Sequence, residues 1–257
     1  MSKIILSDQE VARLIDKGHA LEAEGRLDEA MQCYMDAIPL APNPARAHLN
    51  YGNVLLLKGD LIGALDAFSI AIKHKPDYAG AYYNIGNALL GSGQLEKAVE
   101  NYHSALEIQP DYAEVHCSLG VALKELGQLD DAIASFQSAL EINPDLAEGH
   151  TNLDVAIRDI CSMGNVLMGN RQLEAAVAKY HRVLEIKPDF AEAHCNLGNT
   201  LLELGQHKDA EASYRRALEI SPDSAEVYGN LGTVLCTLGR QDEALACFQQ
   251  QVRLTPE

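Results

Sequence analysis

The chain contains no tryptophan and only four phenylalanines among its 257 residues, so tyrosine must supply most of its large aromatic packing. It has no run of eighteen apolar residues, which excludes a membrane-spanning helix. Positive charge is scarce: 20 Lys and Arg stand against 37 Asp and Glu, a formal charge of −17. A phosphate-backbone partner draws on clustered cations, so nucleic-acid binding is excluded. The same imbalance favours a neutral or basic peptide partner. The six cysteines form no C-x-x-C pair and show no His/Cys zinc spacing, so no metal is implied. The first ten residues, MSKIILSDQE, hold a short apolar patch without a small-residue cleavage site, unlike a signal peptide. Catalytic signatures are missing too. There is no glycine-rich phosphate loop, no G-x-S-x-G elbow, and no motif that joins Cys to His. The chain is expected to be neither an enzyme nor a cofactor protein.

What is present is repetition. Shifting the chain by 34 residues returns the marks of Ala191 to Ser224: Leu197-Gly198, Leu201, Gly205, Ala210, Tyr214, Ala217 and Pro222. Leu197 and Leu201 lie one helical turn apart, as do Ala210 and Tyr214, with Gly205 between the two segments and Pro222 after the second. That pattern is two antiparallel helices joined by a tight turn. Seven such units start at Val11, Ala45, Ala79, Ala113, Ile157, Ala191 and Ala225. A glycine recurs in every first helix, from Gly18 through Gly52, Gly86, Gly120, Gly164 and Gly198 to Gly232. In every second helix an alanine, Ala30 to Ala244, precedes an aromatic one turn later: Tyr34, Phe68, Tyr102, Phe136, Tyr180, Tyr214, Phe248. Prolines close the units from Pro42 to Pro256. The glycine falls where helices cross too closely for a side chain.

This pattern resembles the tetratricopeptide repeat over nearly the whole chain. The resemblance implies an all-α fold, a right-handed superhelical solenoid of antiparallel helix pairs. Residues 1–10 form a lead-in, with Ser7 and Glu10 as a capping box and a helix start near Asp8. Four repeats occupy 11–146 and three occupy 157–257. Between them, residues 147–156 begin a repeat that never reaches a second helix, and Asp154 stands where glycine is expected. Leu153, Ile157, Ile160, Met163 and Leu167 keep helical spacing across the join, which predicts one long helix near 148–169. Ten added residues rotate a helix by about 1000°, some 80° short of whole turns, so its two ends face differently. A seam of exposed apolar surface should result. At the C-terminal end, Gln249, Gln250 and Gln251 are expected to form a polar outer face, Gln251 replacing the usual Ala or Val.

Three histidines, His48, His116 and His194, share the family's tryptophan position and are read as structural. Cys117, Cys161 and Cys195 share another, too far apart for disulfides, and are read as reduced thiols of a cytoplasmic protein. Two asparagine columns lie on the first helices. Asn50, Asn84, Asn196 and Asn230 form one, with Asn152 in the broken unit; Asn53, Asn87, Asn165 and Asn199 form the other, three residues later. The family resemblance places both in the concave groove. A side-chain amide offers two donors and an acceptor, so the columns are candidates for clamping the backbone of an extended peptide. The alternative is that they bridge neighbouring helices. Domains of this family that grip a C-terminal carboxylate place Lys before the groove Asn; Leu49, Tyr83, Cys117 and Cys195 stand there instead. The repeats also look like the substrate-presenting arm of O-linked N-acetylglucosamine transferases and their bacterial relatives. Three functions are therefore weighed: a peptide-binding scaffold, the recruiting arm of a glycosyl- or methyltransferase, and a self-associating module that forms a homodimer through the slip or the last helix.

Overall fold

The computed structural model describes residues 2–255, with side chains described from Asp8 onward. Among the described residues there are fourteen helices and no strand. They pair along the chain as α1 Ser2–Ala23 with α2 Leu27–Ala37, α3 Ala45–Leu57 with α4 Leu61–His74, and α5 Ala79–Gly91 with α6 Leu95–Ile108. Next come α7 Ala113–Glu125 with α8 Leu129–Ile142, α9 Ala147–Gly169 with α10 Leu173–Ile186, α11 Ala191–Glu203 with α12 His207–Ile220, and α13 Ala225–Thr237 with α14 Gln241–Leu254. None of the described helices is long and apolar enough to cross a membrane. The chain divides after Leu153 into two compact units, and each is a helical solenoid of stacked pairs.

One contact makes each pair. The aromatic of the second helix lies against the glycine of the first. A Cβ added to Gly52, Gly86, Gly120 or Gly18 would sit 2.5 Å from a ring carbon of Phe68, Tyr102, Phe136 or Tyr34. In the second unit Gly164, Gly198 and Gly232 meet Tyr180, Tyr214 and Phe248 at 2.6 to 2.7 Å in the same construction. Only hydrogen fits there. The alanine one turn before each ring is buried throughout, from Ala30 to Ala244. The turn joining each pair uses a residue at positive φ, glycine at six places (Gly25, Gly59, Gly93, Gly127, Gly205, Gly239) and Arg171 at φ 63 in the fifth pair.

The long helix forms as expected: α9 runs from Ala147 to Gly169 without interruption. In the first unit its opening turns pack on α8, where a Cβ on Gly149 would meet Leu140 at 3.0 Å. In the second unit its later turns pack on α10 through Gly164 and Tyr180. Asp154, at the missing glycine, accepts from Lys187 Nζ at 2.8 Å. The slip leaves apolar residues uncovered. Val166 is 63% exposed, whereas Val54, Thr200 and Val234 at the equivalent position are all 0% exposed. Met163 is 43% exposed where Leu119, Leu197 and Leu231 are buried.

Two expectations need correction. The first helix starts at Ser2, not near Asp8, so Ser7 lies inside it instead of capping it. No Gly or Pro separates Ser2 from Asp8, and nothing therefore stops the helix growing toward the N-terminus. Gln251 does not join an outer polar face. Its amide turns inward onto α13, where a Cβ on Gly229 would meet it at 2.5 Å, so the glycine makes room for the glutamine. Gln249 is exposed and Gln250 half-buried. Pro256, the last closing proline, lies outside the described residues.

Candidate functional site

The asparagines sit on the first helices, held in register by the glycine–ring contacts beneath them. Their amides are wired to one another. In the first unit Asn84 Nδ2 donates to Asn53 Oδ1 at 2.7 Å. In the second unit Asn196 donates to Asn165 Oδ1, and Asn230 to Asn199 Oδ1, both at 2.9 Å. Each bond spans 31 residues, joining the earlier column of one repeat to the later column of the repeat before it. Asn50 makes the same step backwards, to His19 Nε2 at 3.0 Å. His19 therefore occupies the first rung, a member that the asparagine columns alone did not reveal.

A second bond fixes the later column. Tyr102 Oη donates to Asn87 Oδ1 at 2.8 Å, Tyr180 to Asn165 at 2.6 Å, and Tyr214 to Asn199 at 2.7 Å. The three tyrosines are fully buried. Burial raises their ionisation, Tyr180 to about 12, so they remain neutral donors at physiological pH. The sequence carries a signal for this pairing: Asn87, Asn165 and Asn199 each precede a tyrosine by fifteen residues, whereas Val121 and Thr233 at the same position precede Phe136 and Phe248. Asn53 precedes Phe68 and has no such bond.

The columns thus bridge first helices, and they do not spend all their capacity in doing so. Asn165 and Asn199 each accept two hydrogen bonds on Oδ1. Among the described residues Asn53, Asn87 and Asn165 donate to nothing through Nδ2, and Asn84 and Asn230 accept nothing through Oδ1. Asn199 Nδ2 points only at Cys195 Sγ, 3.9 Å away. Exposure is graded: Asn50 is buried, Asn165 exposed and the other six half-buried. The structure assembles Asn53 with Asn84, Asn165 with Asn196, and Asn199 with Asn230; Asn50 is committed to His19 inside the fold, and Asn87 to Tyr102. Asn152, in the broken unit, reaches only Cys117 Sγ at 3.5 Å.

The other columns are occupied by packing. His116 and His194 each bond the carbonyl of the preceding closing proline, Pro110 and Pro188, at 2.9 Å. His48 instead stacks on His74, ring centroids 5.9 Å apart and 7° from parallel. The six cysteines are free thiols, and burial raises Cys117 and Cys161, and Cys195 to about 11.

Profiles described as tetratricopeptide repeat match residues 13–44, 113–146 and 189–257, and one described as TPR repeat matches 52–93, 90–127 and 164–205. The chain belongs to the tetratricopeptide repeat family. The matched segments stop at 146 and resume at 164, which brackets the slip in α9. A comparison with curated protein sequences yields no match. Among solved structures, a tetratricopeptide repeat protein from Parabacteroides merdae is similar at 19% identity and TM-score 0.50, over 97% of this chain and 94% of that one. The TPR2AB domain of yeast Sti1, in a pHSP90 complex, is similar at 19% identity and TM-score 0.50, over 96% and 91%. These likenesses concern the fold.

Proposed function

We propose that this chain is a non-catalytic interaction scaffold that binds an extended peptide segment along the face of its first helices through asparagine side chains. The observation that carries the proposal is the half-spent amide pair. Each pair leaves one acceptor, the earlier-column Oδ1, and one donor, the later-column Nδ2, the two groups needed to meet a backbone N–H and C=O. The internal bonds hold these groups in place before any ligand arrives, which lowers the entropy cost of binding. Stacked helices lie on the order of 10 Å apart, and an extended chain rises about 3.3 Å per residue, so one rung meets roughly every third residue. The charge of −17 favours neutral to basic segments by steering. Sti1 is captured with pHSP90, but the lysines of a carboxylate clamp have no counterpart at Leu49, Tyr83, Cys117 and Cys195. An internal segment suits this face better than a chain terminus. Six free thiols fit a cytoplasmic setting.

The test is a peptide array probed with the wild type and with a variant carrying Asn84, Asn87, Asn196 and Asn199→Ala in a Tyr102→Phe, Tyr214→Phe background, which leaves no buried hydroxyl orphaned. Loss of binding with unchanged helicity is expected; unchanged affinity would refute the amide clamp. If the chain is the recruiting arm of an enzyme, the same face is used and the same test applies. Self-association is a second reading, favoured by Val166 and Met163 on the uncovered part of α9. It predicts a mass that rises with concentration in light scattering and a steady monomer for Val166→Ser.

A further inference from the structure

We infer that the junction of the second and third repeats carries a pocket that reads one aromatic side chain of the bound segment, adding sequence selectivity to a face that otherwise recognises backbone. The inference rests on the peptide-binding proposal. Amides alone cannot choose among peptides, because every peptide presents the same N–H and C=O. Selectivity needs a cavity within reach of the bound segment, and the first unit offers one.

The cavity, about 670 Å³, is walled by Leu49, Tyr78, Ile108 and Tyr112 beside Gly80, with Lys75, Asp77 and Gln109 as its polar lining. Gly80 is the second residue of α5, where α3, α7, α11 and α13 place long charged side chains: Arg46, Glu114, Glu192 and Glu226. A glycine within a helix costs about 0.5–1 kcal/mol relative to alanine. Here it opens space, since a Cβ at Gly80 would meet nothing nearer than the Tyr78 ring at 3.7 Å. The equivalent cavity in the second unit is smaller, about 250 Å³, and is lined by Cys195, Ser224 and Glu226 where the first-unit cavity has Leu49, Tyr78 and Gly80. The same architectural gap is therefore wider and tyrosine-walled in one place and not in the other.

Three features select an aromatic guest over an aliphatic one. Tyr112 and Tyr83 already pack at tilted aromatic geometry, centroids 5.4 Å apart at 44°, an arrangement that an incoming ring can extend. Lys75 Nζ lies 4.8 Å from the Tyr78 ring centroid and pairs with no carboxylate among the described residues, so it can cover the face of a second ring. The wall is also continuous with the amide site. Tyr83 packs on Tyr102 at 6.2 Å between centroids, and Tyr102 donates to Asn87. Two aromatic contacts, Tyr112 to Tyr83 and Tyr83 to Tyr102, thus lead from the pocket wall to Asn87 in the later amide column.

The experiment is selection from a random-peptide display library against three proteins: wild type, Gly80→Glu, and Asn84→Ala/Asn87→Ala in a Tyr102→Phe background. Glutamate is native at this position in the fourth, sixth and seventh repeats, so Gly80→Glu keeps the fold while filling the pocket. Tyr78→Ser, the residue of the second-unit cavity, is the second pocket variant. Wild-type selectants should share an aromatic residue at one fixed position. Replacing that residue with Leu or Ala should weaken binding to wild type about tenfold or more, the scale of one desolvated aromatic anchor. Against Gly80→Glu and Tyr78→Ser the aromatic preference should vanish, while affinity for the Ala-substituted peptide stays unchanged. The amide variant should lose both peptides. Selectants without a shared aromatic, or a preference that survives both pocket variants, would overturn the pocket and leave the amide clamp standing. A wild type that enriches no peptide would overturn both.

Discussion

Asn199 has two jobs that a single substitution confuses, and a double-mutant cycle with Tyr214 separates them. Its Oδ1 accepts from the buried Tyr214 hydroxyl at 2.7 Å and from Asn230 Nδ2 at 2.9 Å. Asn199→Ala leaves that hydroxyl sealed away from water without an acceptor, which costs about 1–3 kcal/mol. Loss of the bond from half-buried Asn230 adds about 0.5–1 kcal/mol, since water takes its place, and the better helix propensity of alanine returns about 0.5 kcal/mol. The single variant is therefore expected to lose about 1–3 kcal/mol. Tyr214→Phe keeps the ring against Gly198 and removes only the hydroxyl, at a cost of about 0.5–1.5 kcal/mol. The position accepts that ring elsewhere, as Phe68, Phe136 and Phe248 show. In the double variant no buried donor is orphaned, so it should be more stable than Asn199→Ala alone, with a coupling energy of about 1–2 kcal/mol. Urea unfolding gives the four stabilities. Hydrogen exchange over α11 to α13 localises the loss, because repeat arrays open piecewise. Additivity within about 0.5 kcal/mol would refute the argument that the hydroxyl–amide bond is what Asn199 contributes to folding. If stability returns and peptide binding does not, the amide's outward role stands apart from its structural one.

Other substitutions test the framework. Gly86→Ala brings a methyl to 2.5 Å from the Tyr102 ring and should destabilise by about 1–3 kcal/mol, whereas Gly91→Ala, with nothing within 4 Å, should stabilise by about 0.5–1 kcal/mol; opposite signs in chemical denaturation are the check. Arg171 sits at φ 63 with an exposed ion pair to Glu203, so Arg171→Gly should raise stability by about 0.5–1 kcal/mol, and a loss would show that the ion pair outweighs the strain. The Cys195 thiol is held near 11, above the 9.0 of a free thiol, because burial penalises the thiolate. Its contribution to stability is present below about pH 9 and is lost as pH rises toward 11; Cys195→Ala should flatten that part of the pH–stability curve, and iodoacetamide should label Cys195 in the folded protein at pH 8 only slowly.

Much of this molecule is legible in the linear chain because its packing is local and repeated. A glycine in one helix and an aromatic sixteen residues later, recurring every 34 residues, state the helix pair and its closest contact together. The long α9 was equally readable, since apolar spacing continues through 147–169 without a proline. The inward turn of Gln251 was not, because its partner Gly229 lies on the neighbouring helix and either residue alone reads as ordinary. Nor was the membership of His19 in the amide ladder, since it completes the pattern by geometry and not by residue type.

The sequence by itself determined the repeat, the helix pairs, the slip and the positions of the asparagines, because these depend on spacing along one helix or between two adjacent ones. Only the tertiary structure decided what the asparagines are bonded to, which of their atoms are left over, and that Gly80 borders a cavity walled by Tyr78 and Tyr112. Those properties depend on side chains 15 to 31 residues apart meeting within a helix pair or across stacked repeats. Periodicity can place such residues on a common face, but it cannot say which atoms touch.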